Sequence, residues 1–556
     1  MNPQISHKRT RAQESSSAIE RLYITMRHLF NRGFYKPMGI SGETLREALL
    51  ILRPEIYGSI ADEKIELQGL LYVMDRLPYG IEECTFVNLT SDEGYKKSHF
   101  TPIIPAKRRR NCYRIDDEQM NIEVTRGRSE IYDILTHLTF LYIESHKIKD
   151  QVLINDEGEL IRDWEKLEEA VLHKKKLSQK DKEIALTHTA NFLGRTFEEV
   201  NEVYPLFSCK EDEHRFLKII YYLGKGAIAE ALSDKKRLIT FSPVLRERLG
   251  HHIHGERWAF RIKKELFNKG LLDRPIHIIS ANMHSVMNSL FAEDALTTEK
   301  KGKTNLQVFE ALSKSDSGKL REKVTKKALE NGMIYLADES GTNIDVQIFD
   351  TEKYAKTNNE TLDSSEKPVL LVMDYAFGEQ AFETMDELLK PFQNNGKKEF
   401  LNVVSISIMG KAGILEGGKG DIMIPSSHIF EGTADNYPFK NRLKKRHFGE
   451  DVKVCSGAMI TVLGTSLQNK DILTFFYNSS WNVIGLEMEG AHYQKAIQSA
   501  SKIRRSISPK VAVRYAYYAS DNPLETGSTL ASGGLGTTGV RPTYLITEKI
   551  LEQILN

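Results

Sequence analysis

Several features that classify a protein at once are missing from this sequence. Its 556 residues hold only four cysteines, Cys84, Cys112, Cys209 and Cys455, scattered and without a CxxC pair. That argues against a disulfide framework and a cysteine-based zinc site, and points to a reducing, cytoplasmic setting. Charge of one sign is not in surplus, with 77 Lys and Arg against 76 Asp and Glu. No global field therefore draws the chain to nucleic acid or to an anionic membrane, and neither is expected as a partner. No apolar run approaches the ~20 residues that cross a bilayer. The opening MNPQISHKRTRAQESSS lacks the apolar stretch of a secretory signal. There is no internal repeat.

What is present suggests two domains behind a polar tail of about 15 residues. From residue 16 to about 270 the pattern is mainly helical. Apolar residues recur at three- and four-residue steps in Ile131-Leu135-Leu138-Leu141 and Phe216-Ile219-Ile220-Leu223. Short strand-like stretches such as 119–124 interrupt it. After Lys269-Gly270 runs of Ile, Val and Leu end in small residues and give way to helical periods. Examples are 276–281, 369–373, 403–408 and 511–516. Alternation of this kind predicts an α/β domain over 271–556, with a central mixed sheet covered on both faces. Two polar stretches, 294–330 and 351–367, read as loops or insertions.

Three places in this second domain carry chemistry. Gly410-Lys411-Ala412-Gly413-Ile414-Leu415 follows a buried strand, where glycines let backbone N–H groups approach a ligand. A tight turn without a ligand accounts for it equally well. Val483 to Ala491 runs an apolar strand into Glu487, Met488 and Glu489. A carboxylate there can accept two hydrogen bonds from a vicinal diol, although both acids also suit a helix N-terminus. Tyr515 to Pro523 ends a strand on Ser520-Asp521. By itself Asp521 is a turn residue, but in a site with further carboxylates its proton is held more tightly and becomes available for transfer.

The order of these motifs resembles the nucleoside phosphorylase and nucleosidase superfamily, over most of residues 275–556. Ile276 to Val286 is similar to the first strand and its turn, and Tyr375-Ala376-Phe377-Gly378-Glu379 to a Gly-containing turn. Gly410 to Leu415 with Gly420-Asp421-Ile422 is similar to the Gly-rich ligand loop and the strand after it. Leu486 to Ala491 is similar to the ribose-binding EMEG/EMEA signature, and Ser520-Asp521 to the catalytic SD pair. The resemblance implies a three-layer α/β fold, no cofactor or metal, and a homo-oligomer. It implies that Glu489 holds the ribose hydroxyls, Met488 packs beneath the sugar, and Asp521 protonates the purine, with Ser520 orienting it. Glu487, Gly410, Lys411 and Gly413 complete the expected substrate contacts.

Departures from the pattern narrow the expectation. The arginines with which phosphorylases hold phosphate are missing from Ala281 to Val286 and from Ile408-Met409, which favours water as nucleophile. The glutamates of methylthioadenosine nucleosidases are missing from the same turn. Ser520 to Leu524 resembles the SDKPL run of AMP nucleosidases, which also carry an additional N-terminal domain. Hydrolysis of a purine nucleotide or nucleoside is thus expected, with AMP foremost. A phosphorylase, or a nucleotide sensor without turnover, is the alternative. Lys411 and the run Lys440 to His447 are candidates for a 5′-phosphate, the latter also reading as a solvated basic loop. Ser528 to Gly539 reads as a loop that closes over substrate. Residues 1–270 resemble no known family. Lys107 to Arg110, Arg114, Arg126 and Arg128 make them locally basic; Arg126-Gly127-Arg128-Ser129, before a helix, is a candidate place for phosphate or a nucleotide effector, with a surface charge run as the plainer reading. Histidines at 251, 252 and 254, and His137 with Glu144 and His146, do not have the spacing that defines a metal site.

Overall fold

The computed structural model describes residues 10–173, 177–210, 212–233, 235–297, 302–358, 367–433, 435–525 and 536–555. The chain divides into two compact units. The first takes the residues up to Thr125, then Glu130–His251 and Ser466–Ile472. The second takes Arg126–Ser129, His252–Thr465 and the chain from Leu473 onward. Among the described residues no helix is long and apolar enough to cross a membrane.

The first unit is helical around a five-stranded sheet. Its strands are β1 (Phe34–Tyr35), β2 (Phe86–Thr90), β3 (Cys112–Arg114), β4 (Gln119–Glu123) and β5 (Leu238–Phe241), in the order β1-β5-β2-β4-β3. Of the expected tail, residues 11–15 instead open the helix Arg11–Arg32. Thr10 and Gln13 close a capping box there, satisfying backbone donors that an uncapped end would leave bare. Residues 1–9 lie outside the described ones.

The second unit begins earlier than the composition suggests. The helix Ile253–Asn268 buries Trp258, Ile262 and Leu266 in the second core, and Trp258 Nε1 donates to the Ile344 carbonyl at 2.9 Å. Its strands are β6 (Ile276–Ser280), β7 (Met333–Leu336), β8 (Val346–Asp350), β9 (Val369–Met373), a hairpin β10 (Phe392–Asn394) and β11 (Lys397–Glu399), β12 (Val403–Ile414), β13 (Ile422–Phe430), β14 (Asp435–Pro438), β15 (Val454–Thr461), β16 (Val483–Glu487) and β17 (Ala512–Asp521). The hairpin apart, they form one ten-stranded mixed sheet in the order β14-β13-β15-β16-β12-β6-β9-β8-β7, with β17 paired to both β12 and β13. The pairings β12–β17–β13–β15–β16–β12 therefore return to their start. Strand ends that would be spread along an open sheet are gathered by this closure.

Alternate residues of the inner strands serve two cores, as the two-residue period of a strand requires. Ile278, Leu371 and Met373 pack with the helices that carry Trp258, Met385 and Ile497. Ile279, Leu370 and Val372 pack with those that carry Phe291, Val324 and Ile550. This is the three-layer α/β arrangement expected for residues 271–556. Two stretches read as loops are partly helix. Asn305–Ser313 and Gly318–Glu330 bury Val308, Phe309 and Val324 in the second of these cores, and Thr351–Asn358 is helical. Their exposed faces are polar enough to mask the few apolar positions that dock.

Candidate active site

The end of β16 shows how local sequence builds a site. Glu487 is buried and surrounded by donors. Its Oε1 accepts from Thr461 Oγ1 at 2.5 Å and lies 3.4 Å from His428 Nδ1. Its Oε2 accepts from the backbone N–H of Glu489 at 2.5 Å and from that of Gly490. Burial pushes Glu487 up, but His428, Thr461 and the Gly490 N–H hold it below the ordinary carboxylate range. It thus supplies the acceptor that the first turn of the helix Gly490–Gln498 needs. Residue 490 has to be glycine, because a Cβ there would collide with the His428 ring. Both Glu487 oxygens are thus engaged by the protein, while the residue also borders the cavity described below.

Glu489, two residues on, is built differently. Its Oε1 accepts from the Gly378 N–H at 2.9 Å. Burial of the carboxyl and then the charge of Glu487 push its pKa up to about 8, against the pull of backbone N–H groups and of Arg126.

At the end of β17, Ser520 Oγ donates to Asp521 Oδ1 at 2.5 Å and contacts the Ala412 carbonyl at 3.1 Å. Asp521 is 2% exposed, and among the described residues its Oδ2 has no hydrogen-bond partner. Burial raises its pKa, opposed by the Ser520 hydrogen bond and by the charges of Lys411 and Lys419. The stretch Gly410–Ile414, read as a ligand loop, is a continuation of β12. Residues 410–412 pair in parallel with Tyr517, Tyr518 and Ala519, and the register shifts between Ala412 and Gly413 so that Gly413 faces Asp521. Ladder pairing leaves little of this backbone for a phosphate cradle. What it offers a ligand is the side chain of Lys411 and the bare face at Gly410.

A cavity of 310 Å³ joins these elements. Its walls include Gly410, Lys411, Glu487, Met488 and Glu489, with Tyr375, Phe377, Tyr493, Tyr517 and Tyr518 around them. Gly413, Ser520 and Asp521 do not line it. Lys411 connects the two groups, since it borders the cavity and its charge acts on Asp521. Lys411 and Tyr518 also border an adjoining cavity of 480 Å³ that holds Asn282, His284, Ser285 and Arg321. The basic run at 440–447 lies elsewhere. Lys440, Lys444 and Lys445 line a separate groove of 540 Å³. Residues 526–535, within the stretch read as a closing loop, are outside the described ones.

The aromatic lining was not anticipated from sequence, nor was the place of Arg126-Gly127-Arg128-Ser129. Among the other arginines of that basic region, Arg108 and Arg110 pair with Asp133 at 2.7 Å and Arg114 with Glu83 at 2.9 Å, as an internal charge network does. Arg126 borders the cavity, its Cζ 4.9 Å from the Phe377 ring centroid. Arg128 pairs with Glu379 at 3.4 Å, and Ser129 Oγ accepts from the Glu379 N–H at 2.8 Å. Gly378 sits between these contacts at φ 55, where a Cβ would strike Ser129. The segment thus clamps the turn whose N–H holds Glu489. Among the described residues no group of three or more His, Cys, Asp or Glu is placed to hold a metal ion. His254 Nδ1 contacts the Ser340 carbonyl at 2.7 Å.

Residues 43–301 and 298–556 match the model of a family of unknown function, DUF6909. The chain belongs to this family. No curated protein matches it in sequence. In structure it is similar to a 5′-methylthioadenosine/S-adenosyl homocysteine nucleosidase from Campylobacter jejuni, with 10% identity and a TM-score of 0.31 over 50% of this chain and 98% of that one. It is similar to a futalosine hydrolase from Helicobacter pylori, with 12% identity and a TM-score of 0.30 over 50% and 99%. Similarity extends to a uridine phosphorylase from Schistosoma mansoni, with 12% identity and a TM-score of 0.31 over 51% and 87%. The chemistry of the cavity is read from its own residues.

Proposed function

We propose that the second unit cleaves the N-glycosidic bond of a purine nucleotide or nucleoside by hydrolysis, with AMP, giving adenine and ribose 5-phosphate, as the substrate to try first. One observation carries this reading. A carboxyl group held by a backbone N–H, that of Glu489, stands in an aromatic-walled cavity with Met488, while a neighbouring strand end presents a buried acid with an uncommitted oxygen, Asp521. Glu489 accepts from the sugar diol. As the sugar becomes cationic its ionised form is favoured, so the interaction strengthens toward the transition state. Asp521, whose pKa burial raises and which Ser520 orients, donates its proton to the departing base. Lys411 lies where it tunes that acid. Glu487 fixes the strand end from which Glu489 projects.

Phosphorolysis is a second reading, favoured by the adjoining cavity in which Arg321 and Lys411 could together hold an attacking phosphate. A reducing cytoplasmic setting, to which four free cysteines conform, and assembly into a homo-oligomer complete the proposal. The test is release of free base from AMP, adenosine, inosine and methylthioadenosine, with and without phosphate, followed by chromatography. Release without phosphate is expected. Release that depends on phosphate would move the assignment to a phosphorylase, and no release from any compound would leave a binding protein without turnover.

A further inference from the structure

We infer that Arg126 determines substrate specificity by binding an anionic group carried on the sugar, so that a sugar phosphate is preferred to a neutral sugar in this cavity. The inference rests on the reading of Glu489 as the sugar-binding carboxylate. Arg126 and Glu489 border the same cavity. The guanidinium lies over Phe377, and the next residue, Gly378, donates its N–H to Glu489 at 2.9 Å. The cation and the diol acceptor are therefore each anchored to neighbouring residues of one turn, and both border one cavity.

Arg126 is also held in place from behind. Gly127, at φ 77, packs against the backbone of Gln380, and Arg128 and Ser129 both engage Glu379. A planar, permanently charged fork fixed over a ring and facing a cavity is a built receptor for phosphate or carboxylate. Lys411 borders the same cavity, and its charge acts on Asp521. With the diol at Glu489 and the base toward Lys411 and Asp521, the remaining substituent of the sugar is the one that meets Arg126. The charge of Arg126 also acts on the Glu489 carboxyl.

Calorimetric titration of the full-length protein with ribose 5-phosphate, ribose and inorganic phosphate tests this without turnover. Ribose 5-phosphate should bind about 10–100-fold more tightly than ribose, the range of a charge-assisted bidentate contact. Arg126→Gln should bring that ratio close to one, and Arg126→Lys should restore part of it. A wild-type ratio near one overturns the inference, whatever the variants do. So does a ratio that survives in Arg126→Gln. Inorganic phosphate binding as tightly as ribose 5-phosphate would assign Arg126 to a free anion and also overturn it. Base release followed in parallel separates this inference from the proposed reaction. Binding discrimination without cleavage sinks the reaction alone, whereas equal kcat/KM for AMP and adenosine sinks the role of Arg126 alone.

Discussion

The ends of β16 and β17 each deliver a carboxylate, and the two are built in opposite ways. At β16 the acid Glu487 collects a hydroxyl, an imidazole and two backbone donors, so its charge is spent on fixing the next two residues. At β17 the acid Asp521 has one serine on one oxygen and burial on the other, so its pKa is raised. A fully satisfied buried charge makes a rigid mount, and an under-satisfied one is chemically poised. Glu489 is of a third kind, held by the Gly378 N–H and raised by burial and then by the charge of Glu487. The β16 end holds the sugar by this account, and the β17 end acts on the base.

The sharpest way to break that contrast is Asp521→Asn. It keeps the shape and removes the proton donor, so kcat should fall about 10²–10⁴-fold, with the melting temperature unchanged or raised because a buried acid has gone. A loss of stability with activity intact would reverse the roles given to the two strand ends. Glu487→Gln should show the opposite balance. Leaving His428 and the helix start without their charged acceptor should cost about 3 kcal/mol in a denaturant titration, and any loss of activity should follow from the misplaced Glu489.

Glu489→Gln should expose a pH dependence. In the fold Glu489 keeps its proton up to about pH 8, whereas the unfolded chain releases it near the ordinary glutamate value. The folded state therefore binds the extra proton between these limits, and stability drains away as pH rises through that window. Relative to wild type, the variant should melt higher at pH 8.5 than it does at pH 5, and an identical difference at both would refute the shift. Ser129→Ala should have the smallest effect. Losing one acceptor for the Glu379 N–H is worth about 1 kcal/mol, read as a severalfold rise in KM with kcat nearly unchanged.

Much of this site was legible because its residues are consecutive. Glu487-Met488-Glu489-Gly490 and Ser520-Asp521 lie at strand ends, where period-two apolar runs stop and small residues begin. What stayed hidden depends on pairing and on distance along the chain. Gly410 to Ile414 looks like a turn because glycines favour turns, yet β17 runs beside it and its residues enter the ladder. The helix Ile253–Asn268 has the same period as the helices before it, so its membership of the second unit is decided by the apolar face it buries. Arg126 sits 251 residues before Phe377, so its place before a helix marks it as a candidate anion site but nothing local ties it to this cavity. The tyrosines of the wall come from the turn after β9, the helix Gly490–Gln498 and β17, so no single stretch of sequence shows them together.

Reaction in ¹⁸O-labelled water, with phosphate present and the sugar product analysed by mass spectrometry, tests the account most directly. Free purine and a sugar phosphate carrying one ¹⁸O at its anomeric hydroxyl are expected. An unlabelled sugar bearing phosphate at that carbon, or substrate recovered intact, would contradict it.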